Sequence, residues 1–301
     1  MLQPLRRNIK YAKARIAAAG YRHLRIGNHL LRLAQITLGI SKPTLAERIY
    51  TSLALPCAFP FKSPHHCSPG TLNPIQYWSQ GAPPADVAEL TNRWNYELSE
   101  AGLPQIKIYS RSTAFDYIRN YMPCLELPFS TAFHYALEAD IFRIAVAAAE
   151  GCMWLDCDLL PRRRCGDLLR EIAECRESTY FVWRPNRRSK PRITNSFFNV
   201  VPGCNVMNQI CRTTSNIDFR LLPATKDTIA WNGGPKLYNA VIELFLTGGY
   251  HVRRNRTLAS VSSDKGKLNF IDKYSFLDQT KAPGLSYTGT SMQWQIAVPD
   301  T

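Results

Sequence analysis

Residues 139–158, ADIFRIAVAAAEGCMWLDCD, decide the fold reading of this 301-residue chain. Ile141, Ile144, Ala145 and Ala148 recur at i, i+3, i+4 and i+7, the spacing of an amphipathic helix. Gly151 stands where a glycine closes a helix, just past its end. Cys152 to Leu155 then read as a short buried strand that runs into Asp156 and Asp158. Alternate side chains of a strand point the same way, so two carboxylates at its end are expected to converge on one hard cation. One or two carboxylates plus substrate phosphates form a usual magnesium or manganese arrangement. Alone, the acidic pair is a weak signal, because acid-x-acid is common in surface turns. Asp140 and Arg143, three apart near the helix start, allow two readings. They form a surface ion pair of little value, or they face the same site as the acidic pair.

The segments around this unit extend the pattern. Pro74 to Trp78 reads as a first strand, followed by a Ser79-Gln80-Gly81 turn. A helix carrying Val87, Leu90, Trp94 and Leu98 on one face stops at Gly102, Gln105 to Tyr109 alternates as a second strand, and Ser112 to Tyr121 reads as a short helix. Strand-helix-strand-helix leading into the 139–158 unit is the order of an α/β domain with a parallel sheet. Ligands of such sheets sit beyond the carboxyl ends of the strands, which is where Trp78 and Asp156 to Asp158 are expected. An indole offers a flat polarisable surface for a base, although a core tryptophan has the same signature. Further on, Thr179 to Trp183 reads as a strand and residues 184–192, RPNRRSKPR, as a basic loop: a solvated loop, or a clamp on a diphosphate or anionic acceptor. Asn195 is either a turn former before an apolar strand or an amide able to donate to and accept from sugar hydroxyls. Asn232-Gly233-Gly234-Pro235 precedes a helix running to about Leu246 and ended by Gly248-Gly249.

Charge is unevenly distributed. Residues 1–50 hold ten Lys or Arg against one acid, Glu47, and so carry nine of the net +14 charges. Basic residues interleaved with Leu and Ile suit an amphipathic segment on anionic lipid, or an arm packing on the domain or another subunit. Nucleic acid is disfavoured, since no zinc spacing or ribonucleoprotein motif is found. Residues 56–73 read as a linker, and His65, His66 and Cys67 within it lack further ligands at zinc spacing. No apolar run reaches transmembrane length, and no h-region follows the N-terminus. The nine cysteines are odd in number and irregularly spaced, which suits a reducing compartment. A cytoplasmic location is expected, with peripheral attachment at the inner membrane face through residues 1–50.

Asp140, Arg143, Gly151, Trp154, Asp156 and Asp158 together form D-x-x-R, a glycine turn, an aromatic and D-x-D. At these spacings they resemble the signature of glycosyltransferase family 32, which includes bacterial capsule and lipopolysaccharide sugar transferases, fungal Golgi mannosyltransferases and, more distantly, the glucosylating clostridial toxins. Cys152 stands in place of a second glycine and Trp154 in place of a tyrosine. The convincing match spans residues 72–160, with weaker echoes to 295.

The resemblance implies a GT-A-like α/β fold with a mixed, mainly parallel sheet over residues 73–301, after a basic helical extension (1–55) and a linker (56–72). It implies metal-dependent transfer of a hexose, with retention, from a UDP- or GDP-hexose to a saccharide or lipid-linked glycan acceptor. Mn2+ or Mg2+ would be the cofactor. By the same resemblance Asp158 ligates the metal, and Asp156 lies between metal, ribose and donor sugar. Asp140 and Arg143 hold sugar hydroxyls, with Arg143 also stabilising the diphosphate. Trp78 stacks on the base, Asn195 lines the sugar side, and the Gly-Pro helix start lies near the site. Tyr287, Ser291 and Trp294 occupy a late donor-binding position, at a spacing that departs from the family's. Two alternatives stay open: a metal-dependent nucleotide-sugar hydrolase or nucleotidyltransferase, and a non-enzymatic basic membrane-associated protein.

Overall fold

A computed structural model describes residues 73–175, 178–183, 192–246, 251–254, 258–263, 266–272, 277–278 and 284–286. The basic extension, the linker, most of the basic loop (184–191), Gly248-Gly249, and Tyr287, Ser291 and Trp294 lie outside the described residues. The elements follow in the order β1 (Pro74–Tyr77), α1 (Ala85–Glu100), β2 (Lys107–Tyr109), α2 (Arg111–Tyr121), α3 (Glu126–Ser130), α4 (Tyr135–Ala149) and β3 (Cys152–Leu155). Next come α5 (Gly166–Glu174), β4 (Thr179–Trp183), β5 (Arg192–Val200), α6 (Asn205–Thr214), α7 (Lys226–Asn232) and α8 (Pro235–Leu246). Strands β6 (His251–Arg254), β7 (Leu258–Ser263) and β8 (Gly266–Asp272) complete the sheet.

The expected α/β class with a mixed, mainly parallel sheet is what the fold shows. One eight-stranded sheet has the order β2-β1-β3-β5-β4-β8-β7-β6. Only β5 and β7 run against the other six strands, as the pairings require. Helices cover both faces, as a sheet with strands buried on both sides demands. Trp94 and Leu98 of α1 pack with Leu169 and Ile172 of α5 on Met153, Leu155 and Phe197. On the other face Phe142 of α4 meets Trp154, and Tyr238 of α8 meets Phe198. The alternation along β3 therefore sends Trp154 and its neighbour Leu155 into different layers.

Helix α4 departs from expectation in two ways. It begins at Tyr135, where the His134 imidazole accepts the Ala136 N–H at 3.1 Å, a capping residue that lies outside the usual Ser, Thr, Asp and Asn. It is also buried all round rather than amphipathic, with twelve of its fifteen residues buried. The cause is its position, for α4 contacts β3 on one side and α2, α3 and α6 on others. Its alanines let these neighbours approach closely.

Gly151 ends the α4–β3 turn at φ +74°. A Cβ there would lie 2.5 Å from the Val200 carbonyl oxygen and 2.7 Å from the Pro202 nitrogen. Gly151→Ala therefore combines left-handed strain with overpacking, an expected loss of about 2–5 kcal/mol. Urea unfolding would check it, and a midpoint equal to wild type would contradict the assigned constraint.

Candidate active site

Three parallel strands end side by side on one rim. Trp78 follows β1, and its N–H donates to the Tyr109 carbonyl at the end of β2 (2.9 Å). The Cys157 thiol, between the two aspartates, donates to the Tyr77 carbonyl at 3.4 Å. The reversed direction of β5 brings its beginning to the same rim, with Leu155 opposite Phe197 and the Asp156 N–H donating to the Ser196 carbonyl at 2.8 Å. Half-buried Trp78, the acidic pair and Asn195 are thus gathered at the carboxyl ends of the strands, as a doubly covered sheet predicts.

Arg143 is the centre of the site. Its Nη2 donates to Asp156 Oδ1 at 2.7 Å, and its Nη1 lies 3.0 Å from Asp140 Oδ1 and donates to the Asn195 carbonyl at 2.7 Å. The guanidinium carbon stands 4.9 Å from the centroid of the Trp154 ring, whose indole N–H donates to Asp156 Oδ1 at 2.7 Å. The side chains of Arg143 and Asp140 are only 4% and 8% exposed, so the surface ion-pair reading is overturned. The second reading holds: Asp140 and Arg143 share one network with the acidic pair. Trp154 supplies both a cation–π surface and an N–H for the carboxylate.

Two geometric expectations are corrected. The acidic pair does not lie along a strand: β3 stops at Leu155, and Asp158 sits in a turn where the Leu159 N–H donates to the Asp156 carbonyl (3.3 Å). The carboxylates consequently differ in environment, Asp158 being exposed while the Asp156 side chain is 29% exposed and tied to Arg143 and Trp154. Asn195 is neither in a turn nor presented to solvent. It is a buried residue of β5 whose Nδ2 donates to Asp140 Oδ1 at 2.9 Å. The turn between α7 and α8 reaches the site, since a Cβ on Gly233 would lie 2.8 Å from Asp140 Cβ.

The electrostatics follow from three aspartates gathered around one buried guanidinium. Burial works against the charge on Arg143, but Asp156 and Asp140 outweigh it and hold its pKa above the ordinary value. Burial pushes Asp156 up to about 7 against the pull of Arg143, with Asp158 adding repulsion. Burial likewise pushes Asp140 up to about 6, opposed by Arg143 and Asn195. The Cys157 thiol is raised by burial and by both flanking aspartates, so it stays protonated and is no nucleophile at neutral pH.

For Asp140 the sign is definite. The raised folded pKa favours the folded state fully below the ordinary carboxyl value of 3.8, and that stabilisation is lost as pH rises through about 6. Asp140→Asn is expected to flatten the fall in melting temperature between about pH 4 and 6. Scans of both proteins across that range check this, and parallel curves would contradict it.

The residues fit a hard divalent cation in their chemistry. Asp158 offers an exposed carboxylate, and Asp156 has one oxygen besides the Oδ1 that Arg143 and Trp154 hold. Among the described residues no group of three His, Cys, Asp or Glu side chains is placed to hold a metal ion by itself, so a cation here would complete its ligands from substrate phosphate and water.

Tyr238 was not anticipated. It is buried in α8, its Oη has no hydrogen-bond partner among the described residues, and burial, helped by Asp140 and Asp156, keeps its hydroxyl neutral against the pull of Arg143. Position 238 gives no sign of this in the sequence, since an aromatic on a buried helix face is ordinary core. Among the described residues no helix is long and apolar enough to cross a membrane. No family model matches the chain, and no curated protein matches it either.

Proposed function

We propose that this chain is a metal-dependent glycosyltransferase of GT-A-like fold, transferring a hexose from a nucleotide-sugar donor to a saccharide or lipid-linked glycan. The observation that carries this reading is the buried Asp140–Arg143–Asp156 network with exposed Asp158 beside it, at the strand ends next to Trp78. A structural ion pair needs one acid for one base. Here a buried carboxylate, Asp140, and a half-buried one, Asp156, share a guanidinium and a third acid stands at their edge, leaving negative charge suited to a cation and its phosphates.

In this reading Asp158, with the second oxygen of Asp156, would hold a Mn2+ or Mg2+ ion, and Asp156 would also be in reach of the donor's hydroxyls. When bound there, such an ion would supply Lewis-acid stabilisation of charge on the departing diphosphate. Arg143, fixed by Asp140, Asp156 and the Asn195 carbonyl, keeps its positive charge at the site without reorganising, which is how preorganised electrostatics lowers a barrier. Asp140 is oriented by Arg143 and Asn195 and faces the donor sugar. The indole of Trp78 is the stacking platform for the base.

Release of free nucleoside diphosphate from a panel of UDP- and GDP-hexoses, with manganese and with or without glycan acceptors, tests this. Release that requires both metal and acceptor is expected. Equal release without acceptor would favour a hydrolase, and no release from any donor would sink the transferase reading.

A further inference from the structure

Two polar atoms of the site are buried without a hydrogen-bond partner among the described residues. One is the Arg143 Nε: the two terminal nitrogens of that guanidinium are held by Asp140, Asp156 and the Asn195 carbonyl, but the Nε edge is not. The other is the Tyr238 Oη. Leaving a buried donor unpaired costs the full desolvation penalty of the group, and more when the group is charged. Such atoms in a folded protein therefore have partners, from the chain or from ordered water.

The sheet brings the two residues to one place. Trp154 of β3 and Phe198 of β5 are directly opposite in an antiparallel ladder, so their side chains are neighbours on the same face. Arg143 covers Trp154, its guanidinium carbon 4.9 Å from the ring centroid, and the Tyr238 ring covers Phe198 at 5.8 Å between centroids. Helix α8 is pinned there from two sides. The Asn239 amide accepts from the Ile193 N–H at 2.9 Å and donates to the Ile193 carbonyl at 2.8 Å, while Gly233, just ahead of the helix, stands against Asp140. Among the charges that act on the Tyr238 hydroxyl, Arg143 is the strongest, ahead of Asp140 and Asp156, and Tyr238 acts on Arg143 in return.

An Nε–H can only donate, whereas a phenol hydroxyl both donates and accepts. The two atoms do not bond to each other directly. Arg143 is 3% and Tyr238 0% exposed, so no substrate group reaches between them, and the small polar molecule that suits such a closed place is water. We propose that Tyr238 is a positioning residue for Arg143, joined to its Nε–H through one buried water. A guanidinium held at Nη1, Nη2 and Nε is fixed in its plane as well as in its place. The link stands on this geometry alone, and its effect on turnover rests on the glycosyltransferase reading above.

A crystal structure of the full chain that resolves ordered water tests the link with no variant. One water within about 3.2 Å of both Arg143 Nε and Tyr238 Oη is expected. Either atom bound to another group instead, or left without a partner, would overturn the proposal. Tyr238→Phe, which keeps the ring and its shape, gives a second readout in protein labelled with 15N-arginine. Solvent exchange of the Arg143 Nε–H should quicken by about tenfold or more, and the melting temperature should fall by about 2–6 °C. A tyrosine that merely packs gives the opposite pattern: an unmoved Nε–H resonance, and a melting temperature that holds or rises once an unpartnered hydroxyl is gone. With the GDP- or UDP-hexose that wild type turns over, kcat should fall about three- to tenfold while the donor KM stays within about twofold, because Tyr238 touches no substrate. An unchanged kcat would overturn the positioning role. Absence of turnover in wild type would overturn the transferase reading instead, and the water and the Nε–H would still decide the link.

Discussion

Asp158→Ala is expected to abolish metal-dependent turnover, by about a thousandfold or more, while leaving the melting temperature nearly unchanged. The two halves of that expectation have separate causes. Asp158 is exposed in the turn after β3, and substitutions at exposed positions usually move stability by less than about 0.5 kcal/mol. Its proposed duty is to hold the ion that stabilises the departing diphosphate. Losing several kcal/mol of such stabilisation corresponds to about three orders of magnitude in rate. Steady-state kinetics over a manganese titration, paired with thermal melts, measures both. Retained turnover would refute the metal assignment, and a large fall in melting temperature would mean that Asp158 is structural instead.

Arg143→Met is expected to show the largest loss of stability. The guanidinium is buried and answers both Asp140 and Asp156, so removing it leaves two confined carboxylates without their cation. Breaking a buried ion pair from one side costs about 3–5 kcal/mol, or roughly 10 °C in melting temperature for a domain of this size. Both carboxyl groups already sit above their ordinary range, chiefly through burial, and loss of Arg143 removes the strongest force holding them down. The penalty should therefore shrink as pH falls from about 8 toward 5, where protons replace the missing cation. Melts of wild type and variant across that range decide the matter. A penalty that is small, or that does not change with pH, would contradict the network as described.

The unit from Asp140 to Asp158 was legible because its parts are local: helical spacing, a glycine at positive φ and a short apolar run each leave a mark within a few residues. The α/β class followed from the order of those marks. Direction of pairing left no such trace. β5 runs antiparallel beside β3, and only that reversal explains why Asn195 lies within a strand yet against Asp140. The start of α4 was obscured because a histidine caps it. The acidic pair was read as one strand-end feature, whereas the turn at Cys157 divides it into a held carboxylate and an exposed one. Tyr238 joins the site by tertiary packing alone.

The central claim is that the rim holds a nucleoside diphosphate through a divalent cation on Asp158. Thermal shift with manganese alone, with GDP or UDP alone, and with metal and nucleotide together tests it most directly. At about a hundredfold above the dissociation constant, binding adds roughly 2.7 kcal/mol, a rise of about 5–10 °C. The account predicts that rise only when metal and nucleotide are both present, and its disappearance in Asp158→Ala. No metal-dependent stabilisation with either nucleotide, or an equal rise in Asp158→Ala, would contradict it.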